Sequence, residues 1–318
     1  MRYTWDSPRG FDAANVYRDW FDTVYAPGDD GAFGFETVLV RLAKPTKDTL
    51  AWIAAQADNP APASDFLIDG QERARIARLL AHPPDWAPDV MIHKRRSVAG
   101  FWGKYQDKFA YLPDGAGRPK LPRPSRPARM GAPLLAVIDD GVGFLNAQFP
   151  RADTDGTRRT RLTRVWLQAQ DRLEGTAMVC GEEVSAQAID TLLAQGATFD
   201  EGAEYAAVND RLYGHRESPV WDGLTAGPGT DLAVTHGTHV ADIAAGSDPL
   251  TPDAVSDCPM VAVQLPPQAV EDTSGSQLSG YVLRGLRWIL DQAAALADSE
   301  DTPRPIIVNV SIGVLAGA

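Results

Sequence analysis

Hydrophobic and polar positions alternate in three different ways along this chain. In the first stretch the periods are mixed. Val16, Tyr17, Trp20, Phe21 and Val24 recur at helical spacing, and Phe35 to Leu42 alternates as a strand. Leu50, Ile53 and Ala54 predict a helix, and a second helix is predicted over Gln71 to Leu80, closed by Pro83-Pro84. Residues 1–112 therefore read as a small α+β region. Periodicity then vanishes. Pro113, Pro119, Pro122, Pro124, Pro127 and Pro133 forbid helix over residues 113–133, and Arg118, Lys120, Arg123, Arg126 and Arg129 keep that segment solvated, as in an extended linker.

From Leu134 the apolar positions become continuous. Leu134 to Ile138, Met260 to Leu265 and Ile306 to Val310 are runs expected of strands buried on both faces. Between the last two, Leu278, Val282, Leu286, Ile289 and Ala293 form a helical stripe, with Ser274 or Ser276 as its cap. This order predicts an α/β domain over residues 134–318, a parallel sheet with helices on both faces. Residues 151–230 interrupt it and read as an insertion decorating the sheet. Within them Leu162 to Gln168 is a predicted strand, Glu182 to Leu193 and Asp200 to Leu212 are predicted helices, and Gly223 to Thr230 is a glycine-rich loop.

Charge narrows the classes of partner. The 318 residues carry a net charge of −12, which argues against wholesale nucleic-acid binding. Residues 94–130 are the exception, with ten Lys or Arg against Asp107 and Asp114. They read as a basic connector lying on an acidic body or as a polyanion-binding arm. Cys180 and Cys258 alone make no disulfide framework and suit a reducing compartment. Met1 to Asp6 lead into no apolar stretch, and no run reaches membrane-spanning length, so the expected location is cytoplasmic, without a membrane partner.

Two segments carry chemistry. In Ala136-Val137-Ile138-Asp139-Asp140-Gly141-Val142 a buried strand ends on Asp139, where parallel sheets expose functional groups. Asp-Asp-Gly is also ordinary turn chemistry. A dinucleotide loop would need a third glycine after Gly141 and Gly143, where Phe144-Leu145-Asn146 follows instead. In His236-Gly237-Thr238-His239-Val240-Ala241 the imidazole opens a helix whose Gly237, Ala241, Ala244, Ala245 and Gly246 permit close packing on a sheet. Such packing holds a general base rigidly. Thr235 or Thr238 is available to cap the first amides. His236 and His239 lie three apart, but zinc helices space histidines by four with Glu between, and no third ligand motif accompanies them. Neither a metal nor a cofactor is predicted.

Together these motifs resemble the subtilisin-like serine proteases, the subtilases. Ala136 to Gly141 is similar to that family's Asp motif, its doubled Asp most like the kexin branch, and His236 to Gly246 is similar to its His motif nearly position for position. Asn309-Val310-Ser311-Ile312-Gly313 resembles the strand lining the family's substrate cleft, and all three stand in the family's order. The resemblance covers residues 133–318 apart from the insertion, and implies a subtilisin-like fold incomplete at its C-terminus. It implies that Asp139 orients His236, that His236 shuttles the proton of a nucleophilic Ser, and that Asp140 lies beside the cleft and favours a basic substrate side chain. Ser311, Ile312 and Gly313 would offer backbone groups to a peptide or protein substrate. The family's Gly-Thr-Ser nucleophile motif and oxyanion Asn are absent from residues 1–318 and are expected beyond Ala318. Residues 1–112 would then be a propeptide-like domain or a region of other role. The expected function is serine endopeptidase, with this chain alone inactive; the alternative is a non-catalytic peptide-binding pseudoprotease, and a more distant one a nucleotide-binding α/β domain.

Overall fold

The computed structural model describes residues 35–43, 46–58, 64–83, 88–95, 98–111, 131–152, 157–169, 172–174, 177–196, 199–213, 236–248, 250–251, 253–271, 278–297 and 304–312. The helix read over Val16 to Val24, most of the linker and the glycine-rich loop at 223–230 lie outside them. The chain divides into two compact units, Met1–Pro124 with Asp171–Cys180, and Ser125–Gln170 with Gly181–Ala318.

The first unit is an antiparallel sheet with helices. Strand β1 (Phe35–Leu42) is followed by α1 (Thr46–Asp58), β2 (Phe66–Leu67), α2 (Gly70–Ala81), β3 (Asp89–Arg95), the short α3 (Phe101–Lys104) and β4 (Phe109–Tyr111). The strand order is β2-β3-β1-β4. Alternation explains its core: Val38, Val40 and Leu42 from β1 and Val90 and Ile92 from β3 meet Leu50 and Ile53 of α1 and Ile76 of α2. Phe66, Phe101 and Phe109 complete it with edge-on ring contacts. A hairpin of β9 (Arg172–Glu174) and β10 (Ala177–Val179) belongs to this unit, where Met178 packs on Phe35 and Leu67.

The second unit holds a five-stranded sheet of order β11-β8-β12-β5-β13. Its members are β5 (Leu134–Asp139), β8 (Leu162–Leu167), β11 (Glu182–Ser185), β12 (Met260–Gln264) and β13 (Ile306–Val310), with β6 (Pro150–Ala152) and β7 (Arg158–Thr160) forming a separate hairpin. Four strands are parallel, and β11 runs antiparallel on β8 at one edge. All six residues of β5 and all five of β12 are buried, as continuous apolar runs require. Helices cover both faces. On one, Leu135, Val137 and Ala262 pack with Ala241 and Ala245 of α6 (His236–Ala245), Ile189 of α4 (Ala186–Leu193), and Tyr205 and Val208 of α5 (Glu201–Leu212). On the other lies α8 (Leu278–Ala295), preceded by α7 (Pro267–Glu271). A Cβ at Gly285 of α8 would sit 3.2 Å from both Ile138 Cδ1 and Val263 Cγ1, so that helix lies close against the sheet.

Two differences from the sequence reading have plain causes. The stretch 151–230 does more than decorate the sheet, because Leu162–Leu167 enters it parallel to β12 and Glu182–Ser185 adds to its edge. Helix 182–193 is shorter than its pattern implied. The chain stays extended until Ser185, whose hydroxyl caps Ala188 and starts α4 one residue later. At the opposite edge β13 is only half covered, with Ile307 and Val310 exposed, as are Leu283 and Leu290 of α8. Among the described residues no helix is long and apolar enough to cross a membrane.

Candidate active site

Strand β5 delivers Asp139 to the carboxyl edge of the sheet, and α6 begins beside it with His236. Loop 140–143 brings the two together. The Asp140 carbonyl accepts the Gly237 amide at 2.8 Å, and the Gly141 carbonyl accepts the Thr238 amide at 3.0 Å. Two otherwise orphaned amides of the helix start are thereby satisfied by the loop that follows the aspartate. The approach is too close for any side chain at 237, where a Cβ would meet the Asp140 carbonyl oxygen at 2.1 Å and the Asp139 Cβ at 2.9 Å. Gly141 turns the loop with φ +54°, a conformation that only glycine adopts cheaply.

Thr238 has a different role from a cap. Its hydroxyl accepts the Gly143 amide at 2.6 Å and donates to the Gly141 carbonyl at 3.0 Å, locking α6 to the loop. At its other end, α6 is held by Arg161, whose buried guanidinium donates to the carbonyls of Ala245, Gln148, Phe149 and Val255. A cation at the last carbonyls of a helix also meets the negative end of its dipole.

The result is a carboxylate–imidazole pair with unequal burial. Asp139 is fully buried, while the His236 side chain is 54% exposed. His236 Nδ1 lies 2.8 Å from Asp139 Oδ1, which also accepts the Asp140 amide at 2.8 Å. A carboxylate only accepts, so Nδ1 carries the hydrogen and the neutral ring keeps its lone pair on Nε2. The hydrogen bond to Asp139 raises the His236 pKa above its ordinary value, against partial burial, and the charges of both aspartates add to it.

Asp140 completes the cluster. Its Oδ1 is 3.6 Å from His236 Nδ1, and neither this oxygen nor Asp139 Oδ2 has a hydrogen-bond partner among the described residues. Burial, and next the adjoining Asp139 carboxyl, push the Asp140 acid up to about 6, with His236 opposing them. Two carboxyls and one imidazole this close have ligand atoms within 4.8 Å of one another, a spacing that a metal ion could bridge. His239, the other histidine of the motif, stands outside that cluster and is exposed.

Ser311 and Ile312 leave β13 at the same edge of the sheet, since β13 is parallel to β5 with Val310 opposite Ile138. Ser311 is exposed and its hydroxyl donates to Asn309 Oδ1; among the described residues no hydrogen bond links it to His236. Gly313 lies outside the described residues. Sequence reasoning missed Gln264, Tyr205 and Tyr213, all of which hold the Asp139 loop. A polar Gln closing the buried run Met260 to Gln264 was the visible signal; the tyrosines gave none beyond their helix. Compared with known proteins, the chain matches no family model, no curated protein and no solved structure.

Proposed function

We propose that this chain provides the acid–base half of a subtilisin-like serine endopeptidase. The observation that carries the reading is the 2.8 Å contact between buried Asp139 and half-exposed His236 at the carboxyl edge of a parallel sheet. The three motifs that resemble the subtilases support it, since two of them supply this pair and the third begins in the last residues of β13, at the same edge.

In this reading Asp139 fixes the ring through Nδ1–H and stabilises the imidazolium. Nε2 takes the proton of a serine hydroxyl as its oxygen bonds to the peptide carbonyl carbon. His236 then returns that proton to the amine as the C–N bond breaks, and water repeats the sequence to release the acyl group. In this reading the serine is one outside residues 1–318, which hold no Gly-Thr-Ser motif. An extended substrate adds along the Asn309 to Ile312 segment, beside a strand whose outer edge is unpaired among the described residues. Asp140, close to the pair and partly exposed, would face a basic substrate side chain.

That unpaired edge also favours the second reading, a peptide-binding pseudoprotease. The reading frame past codon 318 separates the two. A frame reaching Gly-Thr-Ser, whose product cleaves a quenched peptide library, supports the endopeptidase; a stop codon supports the binding module. Labelling of the 318-residue chain itself by a serine-directed fluorophosphonate would contradict a nucleophile outside it.

A further inference from the structure

Helix α5 comes from the segment read as an insertion, yet Tyr205 within it reaches the loop after Asp139 directly, and Tyr213, the residue after its last, reaches that loop through Gln264. The Tyr205 hydroxyl, deeply buried, accepts the Leu145 amide at 2.9 Å and donates to Glu201 Oε1 at 2.8 Å. Its ring meets Phe144 edge-on, with centroids 5.3 Å apart. Tyr213, at the end of the same helix, works through β12. Its hydroxyl accepts from Gln264 Nε2 at 2.6 Å and donates to the Gln168 carbonyl at 3.2 Å. Gln264 Oε1 then accepts the Val142 amide at 2.9 Å. Gln264 is the strand partner of Asp139, and the next amide, Leu265, donates to the Asp139 carbonyl at 2.8 Å.

Loop 140–145 is therefore gripped from two sides. α5 and Gln264 hold it from within the core, and its own carbonyls hold the first turn of α6. We infer that Tyr205, Tyr213 and Gln264 are positioning residues for the Asp139–His236 pair. They act on the pair through the loop and through β12: Tyr205 holds Leu145, Gln264 pairs with Asp139 and holds Val142, and Tyr213 holds Gln264. Displacing the loop lengthens a hydrogen bond whose strength depends on geometry. Since hydroxyl and amide partners are buried, removing one leaves the other unpaired and the loop free to shift. The inference rests on reading Asp139 and His236 as a working pair, but not on the nucleophile.

The test follows His236 by NMR in the 318-residue chain labelled at histidine, in Tyr213→Phe, Tyr205→Phe and Gln264→Met. Asp139→Asn sets the full size of the effect. Each variant is expected to move the His236 titration midpoint down toward the free-imidazole value of about 6.5 and to broaden or lose the downfield Nδ1–H signal. His93, in the other unit, should not respond. Variants that fold and melt at lower temperature with an unmoved His236 midpoint would reduce these residues to structural support and overturn the inference. Tyr205→Phe and Gln264→Met keep the test open if Tyr213→Phe fails to fold. Failure of a longer product carrying Gly-Thr-Ser to cleave peptides would count against the endopeptidase reading alone, because the His236 readout needs no serine.

Discussion

Each unit of the molecule contains a buried aspartate bonded to a histidine, and only one of the two pairs is chemically open. In the first unit, His93 Nε2 lies 3.2 Å from Asp69 Oδ2 and Nδ1 lies 3.0 Å from the Thr37 hydroxyl. Hydroxyl, imidazole and carboxylate are thus connected as in a hydrolytic triad. Yet His93 exposes none of its surface, and Asp69 is engaged as the cap of α2 through the Glu72 amide. Both ring nitrogens are occupied and no substrate can reach them. In the second unit Asp139 is as deeply buried, but it hydrogen-bonds the ring at Nδ1, and the His236 side chain is half exposed at the sheet margin. The comparison teaches that connectivity does not make a general base; one nitrogen must be spent and the other left accessible.

The largest expected effect breaks that comparison by activity. In the nucleophile-bearing product that the proposed endopeptidase implies, Asp139→Asn should reduce turnover by roughly 10⁴ and His236→Ala by roughly 10⁶, the scale known for triad substitutions, subtilisin among them. His93→Ala should leave turnover per folded molecule unchanged; a loss shared by both histidines would erase the distinction. Stability inverts the ranking. His93→Ala removes the ring that the Thr37 hydroxyl and Asp69 Oδ2 meet, at a fully buried position, and should cost about 2–3 kcal/mol in urea unfolding. Thr238→Val leaves the Gly143 amide unpaired and should cost about 1–2 kcal/mol while lowering the His236 midpoint.

Asp140 changes a pH slope rather than an activity, and its sign is fixed. The folded chain holds this proton up to about 6, above the ordinary 3.8, so folding favours the acid form. Stability from this group is present at low pH and falls as pH rises from about 4 to about 6, by about 3 kcal/mol. Asp140→Asn should remove that slope in unfolding measured across this window, and an unchanged slope would show that the acid does not titrate there. The first unit, whose His93 pair is sealed, should be indifferent to the substitution.

The parts of this fold that local pattern determines were legible in the sequence. Strands 134–139 and 260–264 coincide with their apolar runs to within a residue, because burial on both faces leaves no polar position to blur the period, and strands 35–42 and 306–310, though only partly buried, also match their patterns. Asp139 and His236 were legible because each stands at an element boundary. What stayed hidden depends on tertiary register. Residues 182–185 read as helix by pattern, but pairing with β8 holds them extended. Tyr213 looks like an ordinary helix end until β12 places Gln264 beside it. The hairpin at 172–179 could not be assigned to the first unit from the chain, since only the fold brings Met178 to Phe35 and Leu67.

The most direct measurement is the protonation of His236 itself, read from its ring nitrogens across pH in the wild-type chain and in Asp139→Asn. The account predicts a wild-type midpoint above the ordinary value of 6.5, a neutral ring with its hydrogen on Nδ1, and a clear fall of the midpoint when the carboxylate is lost. A wild-type midpoint at or below that value, or one indifferent to Asp139→Asn, would contradict it.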